Sequence, residues 1–328
     1  MKAIINTKYG SPDVLQFTEI KKPIPKDNEV LIKVRAASLN ALDWHLMRGK
    51  PLAIRLMIGG LIKPKVTQPG RDVAGIVEAV GSSVTQFKPG DEVFGACPGT
   101  CAEYVCANEN RLALKPSNIS FEEAAAVPIA AITALQGLRD KGRIQRGQKV
   151  LIDGAGGGVG TFAVQIAKSF GTEVTAVCSA RNGDTARAIG ADHVIDYTRE
   201  NFTQSALRYN LIMGANAYHS IFDYRRALSK DGIYVGAGGG SQSLLVMLMG
   251  MLLQSLLSLI GSKKMCNFMA KIIKTDLVYL KDLLAAGKII PVIDRRYLLS
   301  EVADAMRYLE EGHARGKVII TVDGNHKT

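Results

Sequence analysis

The stretch Val150-Leu151-Ile152-Asp153-Gly154-Ala155-Gly156-Gly157-Gly158-Val159-Gly160 constrains the chain most. It joins an apolar, strand-like run to Thr161-Phe162-Ala163-Val164-Gln165-Ile166-Ala167-Lys168, which reads as a helix. A strand, a glycine turn and a helix in that order let backbone approach a pyrophosphate, whose charge the unpaired N–H groups and positive dipole end of the helix stabilise. Glycines alone would show only a tight turn; the flanking strand and helix are what make this a dinucleotide site. Its candidate contacts are Ala155, Gly157, Gly158, Val159 and Gly160.

The surrounding pattern supplies a matching fold. Val150 to Asp153, Glu173 to Cys178, His193 to Asp196, Asn210 to Met213 and Gly232 to Val235 are short apolar runs separated by helical stretches, which implies a parallel sheet with crossover helices. Upstream, the β-rich runs Glu29 to Ala36, Val73 to Val80 and Asp91 to Phe94 lie between Pro and Gly punctuation and predict an antiparallel β domain. Near the end, Val302, Ala305, Met306 and Leu309 recur at helical spacing within Ser300 to Gly312, and a strand is expected over Lys317 to Val322, returning to the first domain. A chain of 328 residues exceeds the usual size of one core. The expected class is therefore α/β, with a β-rich domain over 1–122 and 292–328 and a doubly wound Rossmann domain over 123–291.

The choice of dinucleotide turns on the strand Glu173 to Cys178, about 20 residues past the turn, where NAD sites place an acid on the ribose hydroxyl. No acid ends this strand; Ser179, Arg181 and Asn182 follow and offer donors to a 2′-phosphate. NADPH is expected over NADH, although Arg181 on an exposed loop would look the same.

Lys+Arg 41 against Asp+Glu 30 leaves +11, a field that favours anionic ligands. The basic residues form no long run and are not interleaved with aromatics, so nucleic acid is not the expected partner. Five cysteines, Cys97, Cys101, Cys106, Cys178 and Cys266, do not make a disulfide framework. With an N-terminus that reads directly into a strand, they suggest a cytoplasmic protein.

Several motifs occur in an order that resembles the medium-chain dehydrogenase/reductase superfamily, and in particular its quinone oxidoreductase branch. They are Ser38-Leu39-Asn40-Ala41-Leu42-Asp43-Trp44, Pro69-Gly70-Arg71-Asp72-Val73-Ala74-Gly75, Lys88-Pro89-Gly90-Asp91-Glu92-Val93-Phe94-Gly95, Ala124-Ala125-Ala126-Val127-Pro128, Ile132-Thr133-Ala134 and Gly190-Ala191-Asp192-His193-Val194-Ile195-Asp196-Tyr197. The resemblance covers essentially the whole chain and implies a GroES-like β domain beside the Rossmann domain, with the active site in the cleft between them. It also implies Asn40 near the nicotinamide ribose, Thr133 near the nicotinamide and phosphates, and Ser179, Arg181 and Tyr197 around the adenosine phosphate. A homodimer is implied as well.

Zinc alcohol dehydrogenases of that superfamily need an early cysteine ligand and a Gly-His-Glu turn. Those places read Leu39-Asn40 and Gly70-Arg71-Asp72, and an arginine cannot ligate a cation, so no catalytic zinc is expected. Cys97, Cys101 and Cys106 lack close pairing and a fourth ligand, and read as free thiols. Without a metal, hydride addition to a quinone or to the β-carbon of an enone is the accessible chemistry, because the charge spreads into an enolate that hydrogen-bond donors can stabilise. Asn40, Asp43 and Trp44 are the candidate catalytic residues; Asp43 capping a helix and Trp44 filling core stand equally.

Leu244 to Ile260 is unusually apolar and is followed by Lys263 and Lys264. It reads as a Met-rich flap over a lipophilic substrate or a dimer contact, with a reversible contact to a membrane surface as the second reading. The competing function from another class is an NADPH-binding sensor, membrane- or RNA-associated, that keeps the fold without turnover.

Overall fold

The computed structural model describes residues 1–56, 60–216, 218–237 and 261–322; Leu244 to Ile260 lies outside them. The chain groups into two compact units, one of Met1–Ile132, Ile272–Gly287 and Pro291–Thr328, the other of Thr133–Lys271 and Lys288–Ile290.

The second unit holds a parallel sheet built from β8 (Lys149–Asp153), β9 (Glu173–Cys178), β10 (His193–Asp196), β11 (Tyr209–Gly214), β12 (Leu228–Gly236) and β13 (Lys264–Asn267). Its order is β10-β9-β8-β11-β12-β13, and each neighbouring pair runs parallel. Parallel strands covered on both faces read as continuous apolar runs rather than alternating ones, which is why Val150, Leu151 and Ile152 are all fully buried. The helix Gly158–Ser169 covers this sheet with Phe162, Val164 and Ile166. Strand order reverses between β8 and β11, the crevice where open α/β sheets bind ligands.

In the first unit β1 (Lys2–Ile5) and β2 (Gln16–Glu19) form an antiparallel pair. A larger sheet comprises β3 (Glu29–Leu39), β4 (Asp72–Val80), β5 (Glu92–Ala96), β6 (Tyr104–Asn108), β7 (Leu112–Leu114), β14 (Ile293–Leu298) and β15 (Lys317–Thr321). Its order is β14-β15-β3-β4-β5-β7, with β6 also on β3. One core cluster gathers Leu39, Met47, Cys101, Val302, Val318 and Ile320; another gathers Val30, Ile32, Val73, Val93, Cys97 and Leu112.

The differences from the sequence expectations have physical causes. β3 runs past Ala36 to Leu39 because the returning β15 pairs with Ala36 to Leu39. Among the described residues the strand pairs formed within 1–120 are all antiparallel, as expected; β14, which the sequence pattern did not show, adds a parallel pair with β15. The C-terminal helix spans Val302–Glu310, with a 3-10 turn at Leu299–Glu301 before it and Gly312 at φ +74 just beyond its end. The helix Lys274–Ala285, inside the range expected for the Rossmann domain, groups with the first unit and packs on β7.

Candidate active site

In the second unit the glycine turn leaves β8 under tight steric control. Gly154 has φ +83, a conformation that favours glycine, and a Cβ on Gly160 would lie 2.1 Å from the Gly154 carbonyl oxygen. Helix and turn therefore come together only if residue 160 is glycine. A Cβ on Gly156 would meet Asn182 Nδ2 at 2.3 Å, so the Asn182 side chain lies directly over the turn. The N–H groups of Gly154 and Ala155 donate to the Val177 carbonyl at 3.2 and 3.0 Å, which ties the turn to the end of β9. Ala155 itself is buried, and the first turn of the helix Gly158–Ser169 carries no acid. The N–H groups of that first turn have no intrahelical acceptors and suit an anion.

Around this cradle the structure brings together most of the residues expected to recognise adenosine. Asn182 Nδ2 donates to Ser179 Oγ at 3.4 Å, and the Tyr197 N–H donates to the Cys178 carbonyl at 3.2 Å, which places exposed Tyr197 at the end of β9. Arg181 is exposed on the short turn Ala180–Asn182. Thr133, half-buried in the helix Pro128–Gln136, is the first residue of this unit. These residues and the glycine turn fit a nicotinamide dinucleotide: the cradle excludes side chains, and no acid stands at the end of β9.

In the first unit Asn40 immediately precedes the helix Ala41–Arg48, and its N–H donates to Asp43 Oδ2 at 2.8 Å. Asp43 thus caps that helix, as one of its two sequence readings holds. Its carboxyl is pushed up to about 6 by burial, against the pull of the Arg71 guanidinium and the Asn40 hydrogen bond. Arg71 Nε stands 4.0 Å from Asp43 Oδ1 and has no hydrogen-bond partner of its own among the described residues. The two line a cavity of about 30 Å³ with Met47, Gln68, Gly70 and Pro98. Trp44 is partly buried, packs against the first core cluster and stacks on His45 with ring centroids 3.6 Å apart.

Sequence reasoning missed what holds Asn40. Its Nδ2 donates to Asp72 Oδ2 at 2.9 Å, and its Oδ1 accepts from Lys317 Nζ at 2.7 Å. Lys317 was visible as the first residue of a predicted strand, but strand periodicity says nothing of which distant residue lies beside it. Leu39, Asn40, Arg71 and Asp72, at the positions where zinc relatives carry ligands, are engaged in packing, amide bonding and ion pairing. Cys97 and Cys101 belong to different core clusters, and burial pushes Cys97 to about 12 and half-buried Cys106 to about 11.

Residues 26–134 match the family described as alcohol dehydrogenase GroES-like domain, and 189–320 match that described as zinc-binding dehydrogenase. The quinone-oxidoreductase homolog of Spinacia oleracea, a chloroplast protein, is 35% identical over 98% of this chain and 98% of its own. An NADPH-dependent alkenal/one oxidoreductase of Arabidopsis thaliana, also chloroplastic, is 34% identical over 98% of this chain and 79% of its own. Among solved structures, the quinone oxidoreductase from Coxiella burnetii superposes with a TM-score of 0.84 at 30% identity, covering 98% of this chain and 99% of that one. No helix among the described residues is long and apolar enough to cross a membrane.

Proposed function

Because the chain belongs to the quinone oxidoreductase branch of the medium-chain dehydrogenase/reductase family, whose members are nicotinamide-dependent oxidoreductases, we propose that it uses NADPH to reduce quinones or α,β-unsaturated carbonyl compounds without zinc. The observation that carries the reading is the sterically tight glycine turn between β8 and the helix Gly158–Ser169, with no acid in the first turn of that helix and none at the end of β9.

Under this proposal Gly157, Gly158, Val159 and Gly160 hold the pyrophosphate, Ala155, buried and with its N–H on the Val177 carbonyl, shapes the turn beneath it, and Ser179, Arg181, Asn182 and Tyr197 hold the adenosine and its 2′-phosphate. Thr133 and Asn40 serve the nicotinamide side. Reduced nicotinamide supplies hydride when bound. The residues of the chain then have two tasks, stabilising the oxyanion that develops on the acceptor and delivering a proton. Asn40 retains an amide hydrogen for the first, since one of its two is used by Asp72. Asp43, beside the cavity with its carboxyl raised to about 6, is a weak acid of suitable strength for the second. A small lipophilic acceptor, a homodimer and a cytoplasmic location belong to the same proposal; the first two rest on the family, the last on five unpaired thiols.

The test follows nicotinamide absorbance with purified protein against 1,4-benzoquinone, 9,10-phenanthrenequinone and a series of 2-alkenals and enones, with NADH in parallel. Turnover with NADPH and little with NADH is expected. Equal use of NADH would remove the 2′-phosphate assignment, and tight NADPH binding without turnover on any acceptor would favour a sensing role.

A further inference from the structure

Four polar side chains of the first unit, Ser38, Asn40, Asp72 and Lys317, meet at one place in its larger sheet although 279 positions separate the first from the last in sequence. Register explains the meeting: Ser38 pairs with Asp72 across β3 and β4, and Leu39 pairs with Val318 across β3 and β15, so Lys317 arrives beside Asn40. Gly316 makes this arrival possible. Its φ is +128, and a Cβ there would lie 2.4 Å from the Val292 carbonyl oxygen, which accepts the Lys317 N–H at 2.8 Å.

The hydrogen-bond inventory of the cluster is nearly closed. Lys317 Nζ uses its three donors on Asn40 Oδ1 at 2.7 Å, Asp72 Oδ2 at 3.2 Å and the Leu39 carbonyl at 3.3 Å. Asp72 Oδ2 also accepts from Ser38 Oγ at 2.8 Å and Asn40 Nδ2 at 2.9 Å, while Oδ1 accepts the Ile129 N–H at 2.9 Å. Both charged residues are buried, Lys317 with 2% and Asp72 with 0% exposure. A buried ion pair is a poor device for stability alone, because desolvation offsets most of its attraction. Here the pair has a directional consequence. Turning the Asn40 amide over would set its oxygen against the Asp72 carboxylate and its NH₂ against the Lys317 ammonium, replacing two charge-assisted hydrogen bonds with two repulsive contacts. One hydrogen on Nδ2 is left over after the Asp72 bond.

We propose that Lys317 is a positioning residue which, with Asp72, locks the Asn40 carboxamide in the orientation that presents N–H, and not C=O, to the ligand. That Asn40 meets a ligand rests on the functional reading above; the lock itself is a property of the free protein.

The experiment therefore has one readout without cofactor and one with it. Lys317→Met alone strands the Asp72 carboxylate and is expected to unfold readily, so the working variant is the neutral pair Lys317→Met/Asp72→Asn, with Lys317→Arg as the second should the pair fail to fold. In apoprotein carrying ¹⁵N-asparagine, the Asn40 side-chain amide is identified by its loss in Asn40→Ala. It is expected to exchange its hydrogens at least about tenfold faster in a working variant that melts near the wild-type temperature. In steady state the same variant is expected to lose about tenfold or more in kcat with cofactor KM within about twofold, and Asn40→Ala on top of it to add little although it is costly in wild type. Unchanged amide exchange in a stably folded variant overturns the lock, as does an Asn40→Ala effect of the same size in both backgrounds. If wild-type protein turns over nothing, the functional reading fails, and amide exchange still decides the lock.

Discussion

Asp43 and the turn glycines carry the predictions at the scale of single residues. The folded carboxyl of Asp43 sits near 6, above its ordinary 3.8, so the native state binds its proton more tightly than the unfolded chain does. The stability associated with that proton is present below pH 4 and is lost as pH rises through 6, a change on the order of 3 kcal/mol. Denaturant unfolding at intervals from pH 4 to 7 should show this slope in wild type and lose it in Asp43→Asn. Gly160 and Gly156 make a graded pair. The Cβ of Gly160→Ala would strike backbone oxygen at 2.1 Å, whereas that of Gly156→Ala would strike the movable Asn182 amide at 2.3 Å. We expect Gly160→Ala to raise the NADPH dissociation constant more than about tenfold, and Gly156→Ala by less, as read by nicotinamide fluorescence. These glycines were legible because their reason is local. Lys317 was not, because its partners Asn40 and Asp72 lie on other strands and a single sequence holds no sign of their pairing.

Among elements, β15 matters beyond its five residues, since it pairs with both β14 and β3 and brings Lys317 to Asn40. Gly316→Ala should disturb its entry, because the added Cβ meets a backbone oxygen at 2.4 Å in a conformation that favours glycine. A lower melting temperature together with lower kcat is expected, whereas Gly312→Ala has open space at its Cβ and pays only for its φ of +74. Five parallel strands of the second unit, β8 to β12, were readable as apolar runs between helical stretches. The short strands β6, β7 and β13 were not, since three to five residues are too few to establish a period. Only pairing with a neighbour makes them strands.

For the whole molecule, a net charge of +11 should assist capture of an anionic cofactor. Raising salt from about 20 to about 500 mM is expected to raise the NADPH KM severalfold while leaving kcat with a neutral quinone little changed; an unchanged KM would confine the attraction to short-range contacts. By itself the sequence determined the fold class, the strand–glycine turn–helix unit and the missing acid after β9, because these depend on residue types at short spacing along one chain segment. Tertiary structure alone decided which way the Asn40 amide faces, that Asp43 is buried beside Arg71 with a raised carboxyl, and that the helix Lys274–Ala285 groups with the β-rich unit. The reason is that burial and charge pairing are set by which distant segments meet, and sheet register fixes those meetings only once the whole chain has folded.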